Sequence, residues 1–151
     1  MNYLKDFIGN SVFITALLSW FIAQLLKVIT VLITNKHLDF SRFVGSGGMP
    51  SSHSSFVVAL TVAVGLRDGF GSTLFAVSLA MSMVVMYDAA GVRRAAGQQA
   101  KILNRIVDKW GKEDFTLTEK KLKELLGHTP VEVVAGAFLG IAVALICHLV
   151  W

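Results

Sequence analysis

Apolar and polar positions fall in long blocks along this chain. From Ser11 to Ile33 the residues are almost all uncharged, a run long enough to cross a bilayer as a helix. Its exceptions, Gln24 and Lys27, are three positions apart and share one face. Residues 34–50 are polar and carry Lys36, His37, Asp39 and Arg42. A second apolar run, Ser54 to Leu66, is short for a span, which predicts a helix that begins below the membrane surface in a water-filled recess. Arg67-Asp68-Gly69 marks a tight turn, and the apolar run from Ser72 to Tyr87 follows. Residues 88–129 are the longest polar region. Within them Ile102, Leu103, Ile106, Val107 and Trp110 recur at helical spacing, with Lys101, Arg105 and Lys109 between. That pattern predicts an amphipathic helix, suited to an anionic membrane or to the side of a bundle. Thr116-Leu117-Thr118-Glu119 reads as a capping box opening a short charged helix that ends near Gly127. Finally, Thr129-Pro130-Val131-Glu132 reads as an N-cap, a first-turn proline and a capping-box acid. The apolar helix it opens runs to Trp151.

The fold class is therefore all-α: an integral membrane helical bundle of about four transmembrane helices, with spans at roughly 11–33, 54–67, 72–88 and 130–151. An amphipathic helical hairpin is added to it, and 1–151 forms a single membrane-embedded domain. Tyr3, Leu4, Phe7 and Ile8 suggest a short interfacial start. Composition agrees, with 54% hydrophobic and 16% charged residues and a mean hydropathy of +0.64, far from an ordinary soluble domain. The start has neither a basic stretch nor a small-residue cleavage site, so no removable signal peptide is expected. Cys147 is the single cysteine and excludes an intrachain disulfide.

Charge then orients the bundle. With four spans, residues 34–50 and 88–129 share one side, and the latter hold nine Lys or Arg. The positive-inside rule puts both loops in the cytoplasm of a multi-pass cell-membrane protein. The net charge of +4 comes with no nucleic-acid motif, so no nucleic-acid partner is expected. Gly136 and Gly140 form a small-xxx-small face for close helix packing or a homodimer.

The densest chemistry lies in Gly47-Gly48-Met49-Pro50-Ser51-Ser52-His53-Ser54-Ser55. Glycines admit close backbone approach, and Ser51 or Ser52 can cap the following helix. The free N–H groups of that first turn, with the serine hydroxyls, suit a tetrahedral oxyanion, and His53 beside them can move a proton. An ordinary loop and N-cap is the simpler reading of the same residues. His128 and Glu132 are four apart, so the carboxylate can fix one imidazole nitrogen and leave the other nucleophilic, or Glu132 can merely complete the capping box. Arg93 and Arg94 offer guanidinium forks for phosphate oxygens, or plain juxtamembrane charge. Lys27 is an intramembrane cation and hence a site candidate, or it snorkels to the headgroups. The predicted topology brings His53, the arginine pair and His128 with Glu132 to one membrane face. Together they suit phosphoryl transfer. No cluster has metal-ligand spacing, so a metal-free route without a cofactor is expected.

At this point the sequence resembles a known family. Pro50-Ser51-Ser52-His53 is similar to the Pro-Ser-Gly-His motif of the type 2 phosphatidic acid phosphatase and haloperoxidase superfamily. The stretches Tyr87-Asp88-Ala89-Ala90-Gly91-Val92-Arg93-Arg94-Ala95-Ala96-Gly97 and Leu126-Gly127-His128-Thr129-Pro130-Val131-Glu132-Val133 resemble its small divergent bacterial branch. The resemblance implies a lipid phosphomonoester or diphosphate as substrate. It implies Ser51, Ser52 and His53 at the phosphate, with His53 as general acid. It also implies His128 as the nucleophile forming a phosphohistidine, Glu132 orienting it, and Arg93 on the phosphate. Lys27 would stand for the lysine of the first family motif, with Arg42 in place of that motif's missing Arg-Pro. This chain departs from the pattern in three further ways: Ser52 replaces the motif glycine, Glu132 replaces aspartate, and the 95–127 hairpin separates arginine from nucleophile. The alternative is a membrane protein that keeps the pocket for lipid or phosphate binding, or acts as a scaffold, without turnover.

Overall fold

The computed structural model describes residues 2–35, 48–110 and 127–150. These form six helices: α1 (Tyr3–Ile8), α2 (Ser11–Asn35), α3 (Ser52–Asp68), α4 (Thr73–Ala90), α5 (Val92–Trp110) and α6 (Pro130–Val150). No strand occurs among the described residues. Arg42 and the capping box at Thr116–Glu119, with the helix it predicts, lie outside them.

Three helical stretches are long and apolar enough to cross a membrane: Ser11–Ile33, Thr73–Ile106 and Pro130–Val150. The expected fourth span, α3, has 17 residues and covers only about 25 Å, less than a hydrocarbon core of about 30 Å. Its position explains how so polar a helix is accommodated. It packs against α2, α4 and α6, and so forms the middle of the bundle. The third apolar run continues as a helix into the polar sequence, as its pattern predicts. The polar region after Tyr87 is helical from its outset: α4 runs to Ala90, and α5 begins at Val92 with only Gly91 between.

Local chemistry sets the helix starts. Ser51 caps α3, its hydroxyl oxygen accepting from the Ser54 N–H at 3.4 Å. Ser72 caps α4 through the Phe75 N–H at 3.1 Å. The predicted capping box at α6 is present in both directions: the Glu132 N–H donates to Thr129 Oγ1 at 3.4 Å, and the Thr129 N–H donates to Glu132 Oε2 at 3.1 Å. Gly69 ends α3 with φ of +89°, a conformation that side-chain-bearing residues rarely adopt.

Small residues and hydroxyls hold α3 in place. Ser19 of α2 and Ser55 of α3 share a hydroxyl–hydroxyl hydrogen bond of 2.6 Å, and the Ser55 hydroxyl lies 3.2 Å from the Ser19 carbonyl. Thr61 donates across to the Ser78 carbonyl of α4 at 3.1 Å. Such bonds supply association between helices where apolar burial against lipid gives little drive. On the other side, α6 meets α3 backbone to backbone. A Cβ at Gly136 would collide with the Ser51 carbonyl oxygen, and one at Gly140 would lie 2.6 Å from that of Ser55. The small-xxx-small face is thus buried within the chain, and it gives no support to a homodimer through these glycines.

Gly140→Ala is therefore expected to destabilise the bundle by about 1–3 kcal/mol, the usual cost of overpacking. The thermal midpoint in detergent should fall by several degrees, while Phe138→Ala on the exposed face should move it little. A changed oligomeric state with an unchanged midpoint would show that the glycines serve an interface between copies.

Candidate functional site

The start of α3 and the start of α6 lie side by side. The Ser51 N–H donates to the Glu132 carbonyl at 3.0 Å, and the His128 N–H donates to the Ala89 carbonyl of α4 at 3.1 Å. Gly127 makes the second contact feasible, since a Cβ there would strike the Arg94 backbone. Three distant pieces of chain thus meet: 48–53, 88–94 and 127–132.

At their junction His128 is enclosed, 2% exposed. Its Nδ1 is 3.0 Å from Glu132 Oε2, the oxygen that also closes the capping box. Glu132 therefore does both things that its position allowed. An ionised carboxylate only accepts, so Nδ1 carries the proton and Nε2 keeps its lone pair. His128 Nε2 is the one buried side-chain nitrogen or oxygen without a hydrogen-bond partner among the described residues. Buried polar atoms are rarely left so. The His53 ring stands 6.3 Å away, centroid to centroid, inclined at 62°. His53 is exposed.

Two cations complete the cluster. Arg93 Nε donates to Asp88 Oδ2 at 2.8 Å, with both side chains part-exposed. Lys27 is 1% exposed, and its Nζ donates to Gln24 Oε1 at 2.9 Å. Lys27 is an interior residue, then, and does not snorkel. Gly48 caps its stem: with φ of +94°, it brings the backbone so close that a Cβ would lie 3.2 Å from Lys27 Cγ. The charges of Arg93 and Lys27 are felt at both histidines. Burial holds the His128 pKa below its ordinary 6.5; the Glu132 hydrogen bond and charge oppose this, while Lys27 and Arg93 add to it. The ring is therefore neutral at pH 7.

The serines divide. Ser51 and Ser52 are both buried, and the Ser51 hydroxyl is engaged as the helix cap, accepting also from Ser54 Oγ at 3.0 Å. Arg94 meets Gly127 through its backbone. Two features escaped sequence reasoning. Gly127 looked like an ordinary helix end, and only the fold reveals its close approach. A cleft of about 410 Å³ lined by Leu17, Trp20, His53, Phe56, Val57 and Val85 draws on three helices, and no local pattern marks it. No group of three His, Cys, Asp or Glu suited to a metal occurs among the described residues.

The fold and this junction define a helical membrane protein with an enclosed imidazole–carboxylate pair facing a second imidazole. The chain belongs to the divergent PAP2 family, which it matches over residues 8–143. It is 40% identical over 151 residues to the uncharacterized membrane protein YuiD of Bacillus subtilis (strain 168), an alignment covering 93% of this chain and 96% of that protein. No solved structure matches the chain. All three converging pieces fall inside the family match.

Nitrogen-resolved NMR of histidine-labelled protein checks the imidazole geometry. His128 should titrate below pH 6.5 with its proton on Nδ1. Glu132→Gln should lower that value further, because the carboxylate raises it. A midpoint at or above 6.5 in the wild type, or a proton fixed on Nε2, would contradict the arrangement.

Proposed function

We propose that the protein is a membrane lipid phosphatase that hydrolyses a phosphomonoester or diphosphate through a phosphohistidine at His128. The enclosed, unpartnered Nε2, its ring set by Glu132, is the observation that carries the reading. In this reading Nε2 attacks phosphorus while the bond to the leaving oxygen breaks. His53 protonates that oxygen as it departs. Water then attacks the phosphohistidine and gives a proton to His53, which releases phosphate and restores His128. Arg93, Lys27, Ser52 and the free N–H groups at the start of α3 face the phosphoryl oxygens. Ser51 shapes that helix start as its cap, and Arg94 adds positive charge beside Arg93, with Arg42 kept as a phosphate-binding candidate by the family resemblance alone. The cleft beside His53 receives the hydrocarbon of the lipid. The nine Lys or Arg of residues 88–129 favour a cytoplasmic site.

A bound dianion favours the protonated form of the exposed His53 beside it, which readies His53 as the general acid. Free His128 must be neutral to attack. Its lowered pKa predicts that kcat/KM holds as pH falls to 6.5 and is lost only below it, as the ring protonates.

Purified protein in detergent, given a panel of lipid phosphates and diphosphates, should release inorganic phosphate. His128→Ala should lower kcat by about 10³-fold or more, and His53→Ala by about 10²–10⁴-fold. Wild-type turnover in His128→Ala would remove the nucleophile. Phosphate or vanadate binding with no release from any substrate would replace turnover with simple binding.

A further inference from the structure

The helix α5 is divided lengthwise into three faces. Gly97, Ala100 and Asn104 form one, and along it burial increases to 6% exposure at Asn104. This face is turned toward protein. A second face is apolar, with Val92 59%, Ile102 57%, Leu103 49% and Ile106 45% exposed. The third carries Arg94, Gln98, Lys101 and Arg105, spaced four, three and four apart, hence one stripe on the cylinder. All four are exposed. Asp108 is the only acid in the sequence of α5.

The apolar face does not join the bundle. Among the described elements, α5 packs substantially on α4 alone. The apolar run of the sequence ends where α4 meets α5. Helix α4 is apolar up to Tyr87, and α5 begins at Val92 with only Gly91 between. An apolar face flanked by cations, following directly on an apolar helix, complements a sheet of anionic lipid. A second copy of this chain would bring like charges together along the stripe.

We infer that α5 lies in the membrane interface, with Val92, Ile102, Leu103 and Ile106 in the acyl region and Arg94, Lys101 and Arg105 on anionic lipid phosphates. The seating is independent of phosphoryl transfer and holds whether or not the protein turns over a substrate.

The full chain carrying Cys147→Ser, with Leu103→Cys, Ile106→Cys, Lys101→Cys or Arg105→Cys added singly, can be spin-labelled and reconstituted into phosphatidylcholine vesicles with or without phosphatidylglycerol. With phosphatidylglycerol present, labels at 103 and 106 should be accessible to oxygen. Their contact with a water-soluble nickel chelate should be reduced about threefold or more relative to labels at 101 and 105. Omitting phosphatidylglycerol, or adding Arg94→Gln to the Leu103→Cys chain, should raise nickel contact at 103. Nickel contact at all four positions would leave α5 in water and overturn the inference. Shielding of 103 and 106 from both oxygen and nickel would place protein on that face and overturn it too. Equal accessibility in both lipid mixtures would remove the anionic partner.

Discussion

The starts of α3 and α6 come almost into backbone contact, and the candidate site depends on that approach. Glycine at 136 and at 140 removes the side chains that would separate them. The carbonyls of Ser51 and Ser55 then rest against α6, and the Ser51 N–H reaches the Glu132 carbonyl at 3.0 Å. Everything else in the site follows from this approach. It places His53 in the first turn of one helix and His128 just before the first turn of the other, rings 6.3 Å apart. Lateral hydroxyl bonds from Ser19 and Thr61 hold the same central helix from the α2 and α4 sides. A helix as polar as α3 can occupy the middle of a membrane bundle because its polar groups are satisfied there.

The electrostatics of the junction are economical. One carboxylate oxygen, Glu132 Oε2, takes the Thr129 N–H and the His128 ring together, so ending the loop and orienting the imidazole are a single act. Lys27 sits in the interior under the Gly48 turn, bonded to Gln24, where an ammonium would otherwise be costly. Arg93 is held by Asp88 across the break between α4 and α5. Burial above all, with these cations added, holds the His128 pKa below its ordinary value, against the raising effect of Glu132. In the proposed reaction, an arriving phosphoryl group supplies the missing negative charge and turns the same field to its own stabilisation.

Much of this was legible along the chain, for identifiable reasons. Apolar runs of spanning length read directly as helices, and Ser51, Ser72 and the Thr129–Glu132 box mark starts whose hydrogen bonds the structure contains. The family resemblance likewise held, since the motifs at 50–53, 87–97 and 126–133 lie within the family match. Other features depend on contacts that no local pattern encodes. The Gly136–Gly140 spacing fits packing within a chain as well as between chains, and only the position of α3 decides. Whether Lys27 snorkels or stays inside depends on a turn more than twenty residues away. Adjacent arginines point about 100° apart on a helix, so the junction at Gly91 selects Arg93 to face Asp88. Whether Ser51 or Ser52 caps α3 is decided by the fold, and the Ser51 hydroxyl oxygen accepts as the cap. The start of α5 was obscured because Ala-rich, glycine-punctuated residues 89–97 carry no apolar period.

The account turns on one nitrogen, His128 Nε2, standing ready without a partner. Phosphorus–nitrogen coupling in histidine-labelled protein, recorded while a lipid phosphate is turning over or after rapid alkaline quenching, tests this most directly. The account predicts a phosphoramidate bond on Nε2 of His128. A bond on His53, or steady phosphate release with no phosphorus–nitrogen bond on either ring, would contradict it.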